Sequence, residues 1–180
     1  MTADSLNDRW HELFFGIRRS IRYHIRRRKF YENWHLLTSA AGVVFGSAAV
    51  GSLLSSIDSY IALWSAGIVA ILSPMDLVVG TSKKAWLHAE LAKRFIELEK
   101  EIGVEMTEEN YHRLCNARLD IEMEEPPVLH VLNMICHNEL LRAMGYGEKY
   151  KMEIKWYQRC AAHFFDIREH AIQPIAEKTG

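Results

Sequence analysis

The sequence has few of the residues that build disulfide-linked domains and lacks the short motifs of common catalytic sites. It contains three cysteines and four prolines in 180 residues. An odd number of irregularly placed cysteines gives no disulfide framework and is typical of a reducing compartment. The CxxC spacing of many zinc sites, the Walker loop and the GxSxG and HExxH motifs do not occur. We therefore predict no metal ion, no cofactor and no enzymatic activity.

Charged residues are also missing from a long part of the chain. No Asp, Glu, Lys or Arg occurs from Asn33 to Ile57, and Asp58 alone separates this segment from 17 further uncharged residues. A helix of about 20 apolar residues, rising about 1.5 Å per residue, spans a membrane. The ranges 36–57 and 60–80 are therefore predicted to form a transmembrane hairpin with a tight turn at Asp58. A buried hairpin of a soluble protein is disfavoured, because the remaining chain could hardly cover two helices that are apolar all round.

The distribution of charge along the chain predicts the orientation of this hairpin. The net charge is +4 for residues 1–35, −2 for 36–82 and −3 for 83–180. Lys83 and Lys84 follow the second predicted membrane helix, whereas the turn has no basic residue. Because basic residues stay on the cytoplasmic side, we predict a multi-pass membrane protein with both termini in the cytoplasm. The apolar segment starts too far along the chain and is too long for a cleaved signal peptide.

Small residues are frequent in the first predicted membrane helix. Ser39, Gly42, Gly46 and Ala49 recur at spacings of three and four, so they form one stripe that includes a GxxxG step. Such a stripe lets the backbone of another helix approach closely. The sequence leaves open whether that helix belongs to the same chain or to a second copy. We expect a homo-oligomer that packs through this stripe.

Two residues near the end of the second predicted membrane helix are candidates for a role in a pore. Pro74 removes a backbone hydrogen bond and tends to kink the helix. Asp76 is costly inside a membrane unless it is compensated. It is either a cap or ion partner of Lys83 or Lys84, or an acidic group at the mouth of an aqueous path. The candidate residues for pore formation and assembly are Ser39, Gly42, Gly46, Ala49, Pro74 and Asp76.

A basic amphipathic helix is predicted before the hairpin. Ile17, Ile21 and Ile25 recur on one face, and most of the intervening positions are arginine. The helix can bind anionic lipid, pack onto the cytoplasmic helices or bind an anionic ligand such as a nucleotide, and we favour lipid binding. No nucleic acid is expected as a partner. The candidate residues are Arg18, Arg19, Arg22, Arg26, Arg27, Arg28 and Lys29.

Four helices are predicted after the hairpin. Apolar residues from 87 to 102 recur at helical spacing and predict a helix that continues unbroken from the membrane to Gly103. Further helices are predicted at 107–122, capped by Thr107, at 128–144, and at 148–171 with its aromatic residues buried. No segment alternates like a strand. The predicted fold is all-α, with three parts: a basic amphipathic cytoplasmic helix (1–35), a transmembrane helical hairpin (36–82) and a cytoplasmic helical bundle (83–180).

The run Cys136, His137, Asn138 and Glu139 carries reactive side chains but does not predict a site. Consecutive residues of a helix point in different directions, so a zinc or thiol site would need partners from elsewhere in the chain. His130 and His137 share one helix face and are expected to be ordinary packing residues.

Several short runs resemble the SLATT family, over roughly residues 25–145. This family comprises prokaryotic two-helix membrane modules associated with nucleotide-signalling defence systems. The resemblance implies an effector of the bacterial inner membrane that permeabilises or depolarises it in an anti-phage, abortive-infection response. The matching runs are Arg26-Arg27-Arg28-Lys29-Phe30, Leu36-Leu37-Thr38, Asp76-Leu77, Ser82-Lys83-Lys84-Ala85, His88-Ala89-Glu90-Leu91, Arg118-Leu119, Ile121-Glu122, Glu124-Glu125-Pro126-Pro127 and Cys136-His137-Asn138-Glu139.

Such an effector would have to assemble. Two helices cannot enclose an aqueous lumen, so a pore requires several protomers around an axis. The partners that the resemblance implies are membrane lipid, further copies of the chain, and a trigger that is a sensor protein, a nucleotide second messenger or a phage component. The alternatives are a non-conducting membrane anchor whose helical bundle recruits a cytoplasmic partner, and an accessory subunit of a transporter.

Overall fold

The computed structural model describes residues 3–54 and 59–175, without the side chains of 3, 4, 53, 54, 59, 61 and 73–77. Within these ranges there is no β-strand, and the one isolated bridge joins Met152 and Pro174. The predicted all-α fold is confirmed. The helices are α1 (Ala3–Leu54), α2 (Ser59–Val79), α3 (Thr81–Glu101), α4 (Glu108–Glu122), α5 (His130–Ala143) and α6 (Trp156–Ala161), with short 3-10 turns at Glu148–Tyr150 and Glu169–Ala171.

The chain divides into two compact units. The first unit combines Met1–Arg26 with His88–Gly180, and the second is Arg27–Leu87. The first unit contains the beginning of α1, most of α3 and all of α4, α5 and α6. The second contains the rest of α1, all of α2 and the beginning of α3.

The beginning of α1 packs through an apolar face into the first unit. Ile17 is fully buried, and Ile21 and Tyr23 are buried with it. Ile25, which the spacing places on the same face, is 48% exposed. The isoleucine face that the spacing predicts is therefore buried at its first two positions and exposed at the third.

Helices α3, α4 and α5 complete this core. In α3 the apolar residues that recur at helical spacing are buried at Leu91, Phe95 and Leu98. Such spacing of three and four places apolar side chains on one side of a helix. The buried apolar side chains of α4 and α5 are Leu114, Ile121, Val131, Leu132, Cys136, Leu140 and Leu141.

Local residues mark the start of α4 and the end of α5. Thr107 is extended, and its side-chain oxygen accepts a hydrogen bond from the backbone N–H of Asn110 at 3.2 Å. The prediction for α4 is confirmed at both ends. α5 begins at His130, two residues later than predicted, and is followed by Gly145, whose φ of +77° suits a residue without a Cβ.

A single glycine interrupts the helix predicted to run unbroken from the membrane. Gly80 has φ of +63°, a left-handed conformation that ends α2 at Val79. α3 then begins at Thr81, and the backbone N–H of Lys84 donates to the Gly80 carbonyl at 3.0 Å. The prediction of an unbroken helix is wrong at this residue.

The predicted last helix is also wrong, because only Trp156–Ala161 of that range is α-helical. Gln158 is buried, and its amide donates to the carbonyls of Ile167 and Arg168 at 2.9 and 3.3 Å. These two hydrogen bonds connect α6 to the segment that follows it. As a result Phe164 and Phe165 are 50% and 68% exposed instead of lying in a core.

Within the described ranges, one helix is long and apolar enough to cross a membrane. This is α1, whose 18-residue apolar window has a mean hydropathy of 1.3 and is 11% buried. Among the described side chains of α2 the apolar stretch is shorter and covers Ala62–Leu72. The Asp58 turn lies outside the described residues, so the two-helix membrane hairpin stays a prediction.

Candidate functional site

The second unit exposes large apolar side chains along both α1 and α2. Its most exposed examples are Val78 at 85% and Tyr60 at 73%. A soluble monomer rarely exposes a contiguous apolar patch of more than a few hundred Å². Apolar surface removed from water gains about 25 cal/mol per Å², so this surface favours a lipid or protein cover. The exposed residues are Leu36, Leu37, Val43, Val44, Val50, Tyr60, Leu63, Trp64, Ile71 and Val78.

The buried side of the same unit carries small hydroxyl residues. Thr38 and Ser52 of α1 and Ser65 of α2 are buried. The Thr38 hydroxyl donates to the carbonyl of Trp34 at 3.1 Å, and the Ser52 hydroxyl donates to that of Ala49 at 3.0 Å. The Thr38 and Ser52 hydroxyls are thus satisfied within their own helix. Large apolar residues outside and small polar residues inside are the reverse of a soluble amphipathic helix and are typical of helices packed in a membrane.

The small-residue stripe lies at an open edge of α1. Ser39 is exposed, and Gly42, Gly46 and Ala49 are half-buried. Among the described residues, a Cβ added at Gly42 or Gly46 would meet no neighbouring atom within 4 Å. The two glycines are therefore not in close contact with α2. They belong to a shallow groove, here called the α1 groove, that is lined by Gly42, Val43, Gly46, Ser47, Val50 and Gly51.

The two predicted pore residues of α2 have only their backbone in the described structure. Pro74 and Asp76 lie within α2, and their side chains are outside those described. The role of Asp76 as a cap, an ion partner or an acidic ring stays a prediction. One of its expected partners, Lys84, has its ammonium nitrogen 5.7 Å from the centroid of the Tyr31 ring.

Two of the predicted lipid-binding arginines form ion pairs inside the first unit. Arg18 donates to Glu99 of α3 at 2.6 Å, and Arg26 donates to Glu139 of α5 at 2.6 Å. These side chains are partly exposed, so each pair contributes about 1 kcal/mol or less. Their effect is to orient α1 on α3 and α5. This part of the basic helix therefore packs onto other helices of the first unit, which agrees with one of the three interpretations left open.

The end of the basic run lies in the second unit. The Arg27 guanidinium is buried and donates to the Tyr31 hydroxyl. Arg28 pairs with Glu32 one turn later at 2.7 Å. Lys29 is exposed, and within the described ranges it forms no ion pair. Arg28 and Lys29 are thus the exposed members of the run.

The remaining two arginines of the run, Arg19 and Arg22, are both half-buried. Arg22 is partly buried and donates to the Arg18 carbonyl at 3.4 Å. The Nε atom of Arg19 is buried and donates no hydrogen bond to the described chain. Burial, and then the positive charge of Arg118, lowers the pKa of Arg19. Arg19 is therefore a packing residue of the first unit in this structure.

A buried pair of histidines is the polar cluster that sequence reasoning missed. The Nδ1 atoms of His24 and His88 lie 2.9 Å apart, and His24 Nε2 lies 3.0 Å from a carboxylate oxygen of Glu125. The Phe95 ring stacks on His24 with centroids 5.6 Å apart. One proton between the two Nδ1 atoms satisfies that contact, whereas a proton on both would create repulsion. The cluster joins α1, α3 and the segment after α4, and no local spacing could have revealed it.

The four residues 136–139 do not converge, as helix geometry predicts. The Asn138 amide exchanges two hydrogen bonds with the backbone of Met152, at 2.7 and 2.8 Å. Glu139 pairs with Arg26, and the Cys136 side chain is fully buried in the core. Each side chain therefore has a separate packing role.

The structure also separates His130 from His137. The His137 ring packs edge-on against Phe15, with centroids 5.2 Å apart. His130 instead lies beside Asp166 and Glu169 of the segment after α6. No local pattern in the sequence points to this group, because more than thirty residues separate the histidine from the two carboxylates.

Cys136 is expected to be unreactive in the folded protein. Burial raises its pKa to about 12, so its thiolate fraction at pH 7 is very small. Cys160 is exposed. With N-ethylmaleimide at pH 7, we expect Cys160 to react at least about 100-fold faster than Cys136, as followed by mass spectrometry. In denaturant both should react alike, and equal rates in the folded protein would contradict the buried position.

No family model, no curated protein and no solved structure matches the chain. The resemblance to the SLATT family therefore stands on the short runs quoted above. Three structural features bear on the function of the protein: the exposed apolar surface, the α1 groove and the ion pairs of α1.

Proposed function

We propose that this protein is a membrane effector of the bacterial inner membrane. In this proposal α1 and α2 insert as a hairpin with both termini in the cytoplasm, and several copies assemble and permeabilise or depolarise the membrane during phage infection. The observation that carries the proposal is the set of large exposed apolar side chains on the second unit, together with the buried hydroxyl residues Thr38, Ser52 and Ser65.

Insertion follows from length and exposure. The apolar part of α1 runs from Leu36 to the end of the helix at Leu54, which is about 28 Å at 1.5 Å per residue. This is close to the hydrocarbon thickness of about 30 Å. The low burial of its apolar window, 11%, argues against the core helix of a soluble protein, which would be mostly covered.

Assembly is supported by the α1 groove. Gly42 and Gly46 have open space where a side chain would stand, and Val43 at 70% exposure forms one wall of the groove. Helices associate in membranes mainly by close packing, so such a groove suits a ridge of another helix. A second copy of the chain supplies one, and further copies could close a ring around a lumen.

The ion pairs of α1 offer a way to couple a signal to the membrane helices. Arg18 and Arg26 attach α1 to α3 and α5, and both α1 and α3 contribute residues to the second unit. A ligand that moved α3 or α5 would therefore act on a helix that continues to Leu54. We propose that the trigger is a sensor protein, a nucleotide or a phage component that binds the first unit.

The assembly interface can be tested by filling the α1 groove. Gly46→Leu is expected to reduce the oligomer to a smaller species in detergent and to lower depolarisation of induced cells at least about 10-fold, because leucine occupies the space that a second helix needs. Ala48→Leu is the matched control, since Ala48 is exposed on the same helix and does not line the groove. Light scattering measures the mass, and a potential-sensitive dye with and without phage measures depolarisation.

Carbonate extraction should show that the wild-type protein and both variants, Gly46→Leu and Ala48→Leu, insert into the membrane. An unchanged mass and unchanged depolarisation for Gly46→Leu would reject the α1 groove as the interface. An oligomer that neither depolarises cells nor conducts in planar bilayers would reject the effector function and favour a non-conducting anchor.

A further inference from the structure

Three potential metal ligands meet beside the first turn of α5. One ligand atom from each of His130, Asp166 and Glu169 lies within 4.8 Å of the other two. Ligand atoms of a tetrahedral zinc site are about 3.3 Å apart, because the bonds to nitrogen and oxygen are about 2.0 to 2.1 Å long. Movements of about 1 Å in the side chains would therefore bring the three atoms to coordination distance from one ion.

Glu169 carries an unsatisfied atom at this place. Its Oε2 atom is buried from solvent and accepts no hydrogen bond from the part of the chain that the structure describes. Neither Glu169 nor Asp166 pairs with a lysine or arginine among the same described residues. A buried carboxylate oxygen without a donor or a cation is costly, so the site favours a positive group that the polypeptide does not supply here.

Asp166 retains the capacity to bind a metal ion. Its two carboxylate oxygens accept hydrogen bonds from the backbone N–H groups of His130 and Val131, both at 2.9 Å. A carboxylate oxygen has a second lone pair after one hydrogen bond. These two bonds therefore orient Asp166 beside His130 and leave lone pairs for coordination, which is the support that outer hydrogen bonds give to metal ligands.

The backbone that presents Glu169 is held in an unusual conformation. Arg168 has φ of +50°, a left-handed conformation that is uncommon for a residue with a side chain. The Gln158 amide donates to the carbonyls of Ile167 and Arg168 and so fixes the turn from inside the fold. The short 3-10 turn at Glu169–Ala171 starts directly after it. Glu169 is thus positioned by the backbone rather than by its own hydrogen bonds.

We propose that His130, Asp166 and Glu169 form a site for a divalent transition-metal ion such as Zn²⁺. One imidazole and two carboxylates suit zinc better than Mg²⁺, which prefers oxygen ligands alone. Because His130 is exposed, the remaining coordination positions are open to water. The ion would connect the segment after α6 to the start of α5 and neutralise Glu169.

The test uses the full chain in detergent after treatment with a chelator. Zn²⁺ is titrated by calorimetry in the presence of excess Mg²⁺, and one ion per chain is expected. Glu169→Gln and His130→Gln should each weaken this binding at least about 10-fold, since each removes one ligand. His112→Gln is the matched control, because the His112 side chain is 70% exposed on α4 and lies outside this group.

A second measurement separates loss of the ligand from loss of the fold. At one fixed Zn²⁺ concentration, the metal should raise the thermal midpoint of the wild-type protein and of His112→Gln more than that of Glu169→Gln, whose circular dichroism should be unchanged. No binding to the wild-type protein would overturn the proposal. Binding that Glu169→Gln and His130→Gln both leave unaltered would also overturn it, because the ion would then be held elsewhere.

Discussion

Replacing Phe95 by alanine is expected to lower the free energy of unfolding by about 3 to 5 kcal/mol. Phe95 is fully buried in α3, and its ring stacks on His24. The substitution removes apolar contacts and leaves a cavity beside a buried histidine pair, and both effects destabilise the fold. Equilibrium unfolding of the full chain in detergent, followed by circular dichroism, measures the change.

The neighbouring residue provides the control for this experiment. Ile96 is on the same helix and is 37% exposed. Ile96→Ala is expected to lower the free energy of unfolding by about 1 kcal/mol or less, since part of its surface is already in contact with solvent. Equal losses for the two variants would show that α3 does not pack into the first unit through the face that contains Phe95.

Cysteine labelling is expected to give an all-or-none result for topology. On a cysteine-free background, Ser56→Cys should react with a membrane-impermeant maleimide added to intact spheroplasts, and Thr179→Cys should not. The reason is that basic residues flank the hairpin on both sides, with Lys83 and Lys84 directly after it, and are absent from its turn. Ser56 and Thr179 both lie outside the described residues and serve only as reporters of the membrane side.

Permeabilised spheroplasts provide the control for this experiment. Both cysteines should be labelled after permeabilisation, which shows that each is chemically accessible. Labelling of Thr179→Cys, and not of Ser56→Cys, in intact spheroplasts would reverse the proposed orientation. Equal labelling of the two in intact spheroplasts would exclude a hairpin that crosses the membrane twice.

Local chemistry determined several elements that could be predicted from the sequence. Thr107 caps α4 because its side chain accepts the Asn110 N–H, an interaction between residues three positions apart. Gly145 follows α5 because a left-handed residue there favours glycine. The length of the uncharged segment from Asn33 is likewise a property of consecutive residues. Each of these signals is contained in a short stretch of chain.

Tertiary structure decided the features that depend on distant residues. Helical spacing alone favoured one long last helix, whereas the buried Gln158 bonds to Ile167 and Arg168 and reverses the chain. The pairing of His24 with His88 joins residues 64 positions apart, and the group at Glu169 joins two segments that no spacing relates. The sequence determined the apolar segments and the ends of α4, because those properties arise from neighbouring residues. Only packing decided which polar groups share a buried site, because burial removes water and makes each such group depend on partners brought together by the fold.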